Sequence, residues 1–414
     1  MVTILARRRA LRQSATLAPL SVRDFRLFWS GTFVSQCGDQ FQLVGLAILA
    51  LDLTHDPATL GAVLAAQAIP RTLFIVLGGV ITDRFRASGV LRITNLLMTL
   101  LVGALATLTE LGRLELWHLY VYAVLAGIVY SCSVPAQQSI ASELVPREQV
   151  RNAVALNTTS FNTTLFLVPP LAGILVAHLG NAPAFAFNAL SFGVAALCLR
   201  FVRGGELPGE ARKQSPLVQI QEGFTVVLGS PVLLVAVLSA VVYSLGYQGA
   251  NLVGVPTLAK LTLGAGDAGV GLLYGAGGLG ALLAALGVGL VARIPRLGRL
   301  ASLTLLGTGI SLALVGATTT IQEAAVVLFL ATGIRAICAI SYLTLVQTQA
   351  PVEARGRVMG LFMLGVVGLE PLSLSVGGLL GAAVGGRGIF LVCGAAIAVA
   401  GVLATANRTF RAAT

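Results

Sequence analysis

Twelve runs of about twenty mostly apolar residues fill this chain, and no other feature constrains its fold so strongly. The hydrocarbon core of a bilayer is about 30 Å thick, and an α-helix needs about 20 residues to cross it. Backbone groups in hydrocarbon must be paired within their own segment, so runs of this kind become helices. The first six fall near 27–51, 58–80, 90–111, 117–140, 152–178 and 183–202. The second six fall near 231–257, 268–292, 298–318, 322–349, 358–384 and 387–406. Only 10% of the 414 residues are charged, against about 25% in a soluble domain, so the expected solvent is lipid. The 48 glycines suit helices that approach through small residues.

The fold expected is an all-α membrane protein of two pseudo-symmetric six-helix halves. Residues 1–26 form an N-terminal segment, 27–202 the first half, 203–230 a linker with a short surface helix, and 231–414 the second half. Lys and Arg set orientation, being enriched in cytoplasmic loops. One set of loops carries most of the arginines, from Arg7–Arg12 to Arg408 and Arg411; the opposite set carries only Arg113, Lys260 and Arg387. Both termini and the linker therefore belong to the cytoplasm. The basic residues before span 1 mimic a signal peptide, but the segment is too long, contains Asp39 and lacks a cleavage site. The net charge of +11 is spread over short loops, with no recognition helix, which argues against nucleic acid.

The halves echo each other. Ser35-Gln36-Cys37-Gly38-Asp39-Gln40 in span 1 aligns with Tyr243-Ser244-Leu245-Gly246-Tyr247-Gln248 in span 7. Pro146-Arg147-Glu148 aligns with Pro351-Val352-Glu353. In such parallel repeats the substrate site lies near the midplane at the repeat interface.

Four ionisable residues lie inside apolar runs: Asp39, Arg71, Arg335 and Glu370. Charges at mid-membrane are costly, and they usually face a cavity and a partner. At about 1.5 Å rise per residue, each is roughly 18 Å along its span, or near its middle, so all four share one level. The expected pairs are Asp39–Arg71 and Arg335–Glu370. They are either static pairs that fix helix register or a switch in which a carboxylate exchanges its arginine for a proton or substrate. Asp39 is the first candidate proton carrier and Glu370 the second.

After span 2 comes Gly78-Gly79-Val80-Ile81-Thr82-Asp83-Arg84-Phe85-Arg86. Here the chain resembles the major facilitator superfamily, whose loop signature is a glycine, three residues, then Asp-Arg and further bases. The resemblance implies a cytoplasmic gate at Gly79, Asp83, Arg84 and Arg86. Ala87 and Ser88 depart from the usual Gly-Arg, and the second-half copy from Gly287 to Arg293 has lost the acid. Arg23-Asp24-Phe25-Arg26-Leu27-Phe28-Trp29-Ser30-Gly31 and Ser142-Glu143-Leu144-Val145-Pro146-Arg147-Glu148 are similar to the branch of macrolide, multidrug and enterobactin exporters. Antiporters of that family bend span 5 at a Gly- and Pro-rich motif, which here reads Val168-Pro169-Pro170-Leu171-Ala172-Gly173. Pro371 offers a similar kink in span 11.

Polar side chains within the spans are candidates for a cavity wall: Gln36, Gln40, Gln67, Asn157, Tyr243, Tyr247, Gln248 and Asn251, with Asn162 beside them. Tyr243, Tyr247 and Asn251 share one helical stripe. Gly275-Ala276-Gly277-Gly278-Leu279-Gly280 matches a dinucleotide fingerprint but sits inside an apolar span without its strand. The five cysteines and three histidines show no metal-ligand spacing. No cofactor, metal or enzyme chemistry is expected. The reading is a monomeric, proton-coupled transporter of the bacterial cytoplasmic membrane that exports hydrophobic or amphipathic molecules. Siderophore or lysophospholipid transport, passive lipid scrambling and a non-transporting sensor are the alternatives.

Overall fold

A computed structural model describes residues 15–203, 216–287 and 296–413. The arginine run at 7–12, linker residues 204–215 and the second-half copy from Val288 to Arg293 lie outside the described residues. Within them every regular element is helical.

The first half is built from α1 (Arg23–Thr54), α2 (Pro57–Arg84), α3 (Ala87–Glu110), α4 (Leu116–Glu143), α5 (Val150–Leu179) and α6 (Asn181–Arg200). After α7 (Pro216–Gly229) come α8 (Pro231–Gly249), α9 (Gly266–Leu286), α10 (Leu297–Ala317), α11 (Ile321–Gln349), α12 (Arg355–Val367), α13 (Glu370–Ala406) and α14 (Arg408–Ala412). Local chemistry sets the ends. Gly180, at φ 79°, separates α5 from α6. Thr320 and Glu323 cap α11 reciprocally, the hydroxyl accepting from the Glu323 N–H. Gly385, at φ 70°, divides α13 into two spans, a conformation that glycine adopts without steric cost.

Ten helical stretches among the described residues are long and apolar enough to cross a membrane, the last being the whole of Arg355–Ala406. The Gly385 break makes two spans of that stretch, and the 32-residue α1 completes the twelve. α1 falls short on apolarity because Ser30, Ser35, Gln36, Asp39, Gln40 and Gln42 interrupt it. Leu73, Leu100, Leu190 and Leu286 are largely exposed, as lipid-facing side chains should be.

Two compact units emerge. The first comprises residues up to Leu46 and Ala66–Ala211; the second comprises Ala47–Ala65 and Arg212–Thr414. In the first, Phe25 and Phe28 are buried with Leu91, Ile140 and Ala153, and Trp29 donates its indole N–H to Ser160 at 2.9 Å. In the second, α8 meets α13 through Gly249 and Gly377: a Cβ on Gly377 would stand 2.7 Å from the Gly249 Cα. Lys260 Nζ joins Asp52 at 2.6 Å and Asp267 at 2.5 Å. α7 is too short to cross a membrane, and its Glu222 pairs with Arg357 of α12.

Two features depart from simple spans. Span 7 leaves the α-helical pattern after Gly249 and runs through π-helical turns at Ala250–Gly254 and Leu258–Thr262. Span 11 breaks at Gly368 and Leu369, so Pro371 occupies the first turn of α13, where its missing N–H needs no partner. Pro169 and Pro170, by contrast, lie inside the unbroken α5.

Candidate functional site

Each unit has its own polar centre in an apolar surround. In the first, Asp39 is half-buried on α1. The Tyr130 hydroxyl of α4 donates to Asp39 Oδ1 at 3.1 Å, and Asn188 of α6 also hydrogen-bonds the carboxylate. Asn188 Nδ2 donates to Gln42 Oε1, Gln42 Nε2 donates to the Tyr122 hydroxyl, and Ser191 donates to Asn188 Oδ1 at 2.9 Å. Gln42, Tyr122, Asn188 and Ser191 are all buried. Gly38 allows this closeness: a Cβ there would stand 2.9 Å from Ser191 Cβ and nearer still to the Asn188 amide. Arg71 of α2 is close enough to act electrostatically on Tyr130.

Three expected cavity residues carry buried oxygens with no hydrogen-bond partner among the described residues: Gln36 Oε1, Gln40 Oε1 and Asn157 Oδ1. Such groups each cost about 1–3 kcal/mol when left unpaired. Gln67 is half-buried, and its backbone carbonyl lies against Gly127 of α4.

The second unit holds the opposite charge. Arg335 of α11 places its guanidinium 5.1 Å from the Tyr247 ring centroid and hydrogen-bonds the Tyr243 hydroxyl. Tyr243 and Tyr247 stack, with centroids 5.3 Å apart and an interplanar angle of 15°. A cation over an aromatic face is attracted by the ring quadrupole. Two tyrosines stand where the expected Arg335–Glu370 pair would be, and Arg335 Nε has no hydrogen-bond partner among the described residues. Glu370 is buried at the first residue of α13, where the helix N-terminus favours a carboxylate. Gln248 is half-buried. Asn251 sits in the first π-helical turn, where the α register of the Tyr243–Tyr247 stripe ends.

Beside Arg335 lies a cavity of about 170 Å³, lined by Ser239, Tyr243, Cys338, Tyr342, Phe362, Met363 and aliphatic side chains. Its wall is almost wholly apolar apart from the hydroxyls and the thiol. Tyr122, Tyr130 and Asn188 in one unit, and Tyr342 in the other, had no place in the sequence reading. Their signal was a polar group within an apolar span, the same that singled out the glutamines.

At the expected gate, the closely packed glycine is Gly78 rather than Gly79. A Cβ on Gly78 would collide with the Ser131 backbone of α4, whereas one on Gly79 meets nothing within 4 Å. Arg84 ends α2 and Arg86 precedes α3, both exposed; the Asp83 side chain lies outside the described residues.

Comparison with known proteins agrees with this architecture. Residues 28–369 match the family described as Major Facilitator Superfamily. The uncharacterized MFS-type transporter YfiS of Bacillus subtilis is 26% identical over 216 residues, 50% of this chain and 50% of that protein. The staphyloferrin A transporter of Staphylococcus aureus is 26% identical over 202 residues, 48% of this chain and 51% of that protein. The chain thus spans about half the length of these curated relatives. A crystal structure of the nucleoside transporter NupG superposes with a TM-score of 0.74 at 14% identity, covering 92% of this chain and 98% of that one. At that identity the likeness concerns fold alone.

Proposed function

The chain is a member of the Major Facilitator Superfamily, and on that premise we propose that it exports hydrophobic or amphipathic molecules in exchange for protons by alternating access. The observation that carries this reading is Asp39, a carboxylate in a membrane helix held by the Tyr130 hydroxyl and the Asn188 amide. Both donors stabilise the charged form, and a conformational change that withdraws them favours protonation. Asp39 takes a proton from the outer side in one conformation and releases it inward in the other. Arg71, close to Tyr130, supplies a positive charge that the released carboxylate can engage. Glu370 is the second candidate carrier. Gln36, Gln40 and Asn157 offer unpaired amide oxygens to a substrate. The enrichment of Lys and Arg in one set of loops supports an orientation with both termini in the cytoplasm.

A second reading has its own support. No carboxylate among the described residues pairs with Arg335, and an apolar cavity lies beside it. An acid-bearing substrate, such as a siderophore, would supply the missing charge, and the likeness to a staphyloferrin A transporter points the same way. Arginine suits this task because it binds carboxylates bidentately.

The test is purified protein in vesicles with an imposed pH gradient and a panel of cationic, neutral and anionic amphiphiles. Uphill accumulation that collapses with the gradient is the expected result. Preference for the anionic compounds selects the second reading. Movement that persists without a gradient and never becomes uphill contradicts coupled transport and indicates a passive scramblase.

A further inference from the structure

Four arginines of the second unit line one groove of about 660 Å³: Arg296 and Arg299 at the start of α10, and Arg408 and Arg411 of α14. Arg408 and Arg411 are spaced i, i+3 on one face of α14, while Arg296 stands at the N-cap of α10 and Arg299 lies in its first turn. Among the described residues the groove wall contains no acid, and no ion pair involves any of the four. Like charges gathered this way repel one another unless an anion joins them.

The arrangement is held in place by apolar packing. Phe410, between Arg408 and Arg411, is fully buried, and its ring stands 5.9 Å from that of Tyr342. Asn407 Oδ1 accepts the Phe410 N–H at 2.9 Å, and the Gly298 N–H donates to the Ala413 carbonyl at 3.0 Å. Gly298 leaves room for this contact, since a Cβ there would collide with the Phe410 carbonyl. The short helix is thus docked, and its arginines face those of α10.

The groove is also continuous with the lipid-facing surface. Leu303 and Thr405, on membrane-spanning helices, extend its wall together with Ala412 of α14, and Leu303 is 46% exposed. We propose that this groove binds the headgroup of an anionic phospholipid, best one with two phosphates, with the acyl chains lying along α10 and α13. Two phosphates match four guanidiniums, each able to grip a phosphate through paired N–H groups. A soluble anion would gain nothing from the apolar end of the wall.

The probe is tetraoleoyl cardiolipin added to the full chain in neutral detergent, with retention read by native mass spectrometry and stability by thermal unfolding. Cardiolipin should be retained and raise the unfolding temperature, while phosphatidylcholine should do neither. Arg408→Gln with Arg411→Gln should weaken retention about thirtyfold, on a basis of roughly 1 kcal/mol per basic residue at a membrane surface. Lysine at both positions should restore most of it. If the glutamine variant does not fold, a salt titration of the unaltered chain decides. Retention that falls steeply with salt supports the site, and salt-independent retention overturns it. Equal retention by wild type and glutamine variant also overturns it, as does displacement of the lipid by millimolar pyrophosphate, which would mark a soluble-anion site.

Discussion

The polar centres of the two halves occupy repeat-related positions and carry opposite charge. Asp39 aligns with Tyr247 through the span 1 and span 7 repeat. Tyr130 and Arg335 each stand sixteen residues before the aligned Pro146 and Pro351. The first half therefore joins an acid on its first helix to a phenol on its fourth, and the second joins a phenol to a guanidinium. Repeat-related positions, filled with different side chains, hold a carboxylate in one half and a guanidinium that stays cationic at every accessible pH in the other. On the proposed reading, the two halves would divide proton handling, centred on Asp39, from charge recognition, centred on Arg335.

The largest effect expected from breaking this contrast is on Asp39→Asn. It removes the titrating group, and accumulation driven by a pH gradient should fall about 100-fold or more, the scale of a lost proton-transfer group. Substrate exchange without a gradient should survive. Arg335→Gln sharpens the other side. Transport of anionic amphiphiles should drop about tenfold to a hundredfold, the worth of a charge-assisted hydrogen bond, while cationic compounds are spared. Equal losses for both classes in a competition assay would remove Arg335 from recognition. Tyr247→Leu leaves the charge but not the ring, and the anion preference should weaken by about fivefold, as expected for a lost cation–π contact. Tyr247→Phe should leave it intact.

Two smaller effects concern packing. Gly38→Ala and Gly249→Ala each force a methyl group into a helix contact, and each should lower stability by about 1–3 kcal/mol, read as a reduced unfolding temperature in detergent. Only Gly38→Ala should also disturb proton coupling, because its methyl group presses on Asn188 and Ser191. Smallest of all is Lys260→Met. Lys260 and its partners Asp52 and Asp267 are partly exposed, so the loss should stay within about 1 kcal/mol and shrink as salt is added.

Much of this was legible in the residues. Apolar run length gave the helices to within a few residues: span 1, read as 27–51, is the core of Arg23–Thr54. Apolar runs report length because hydrocarbon thickness fixes it. They report rotation poorly, because a helix apolar on all sides has no contrasting face to read. Depth along the helix set Arg335 and Glu370 at one level, but which neighbour Arg335 met depended on its direction around the axis. That direction is toward Tyr243 and Tyr247. The break at Gly368 and Leu369 and the π-helical turns after Gly249 were also hidden, since packing rather than propensity imposes them. Of the Asp39–Asn188–Gln42–Tyr122 network, only Asp39 was singled out in the sequence. The connectivity of the network depends on Gly38 admitting α6 to close range.

The most direct test of the division between proton handling and charge recognition is proton movement itself. Vesicles enclosing a pH-sensitive dye, with no gradient imposed, are given a transported amphiphile, and lumenal pH is followed for wild type and Asp39→Asn. The account predicts a substrate-induced pH change in wild type and none in Asp39→Asn, with radiolabelled substrate still exchanging across the same membrane. A pH change of wild-type size in Asp39→Asn would contradict it.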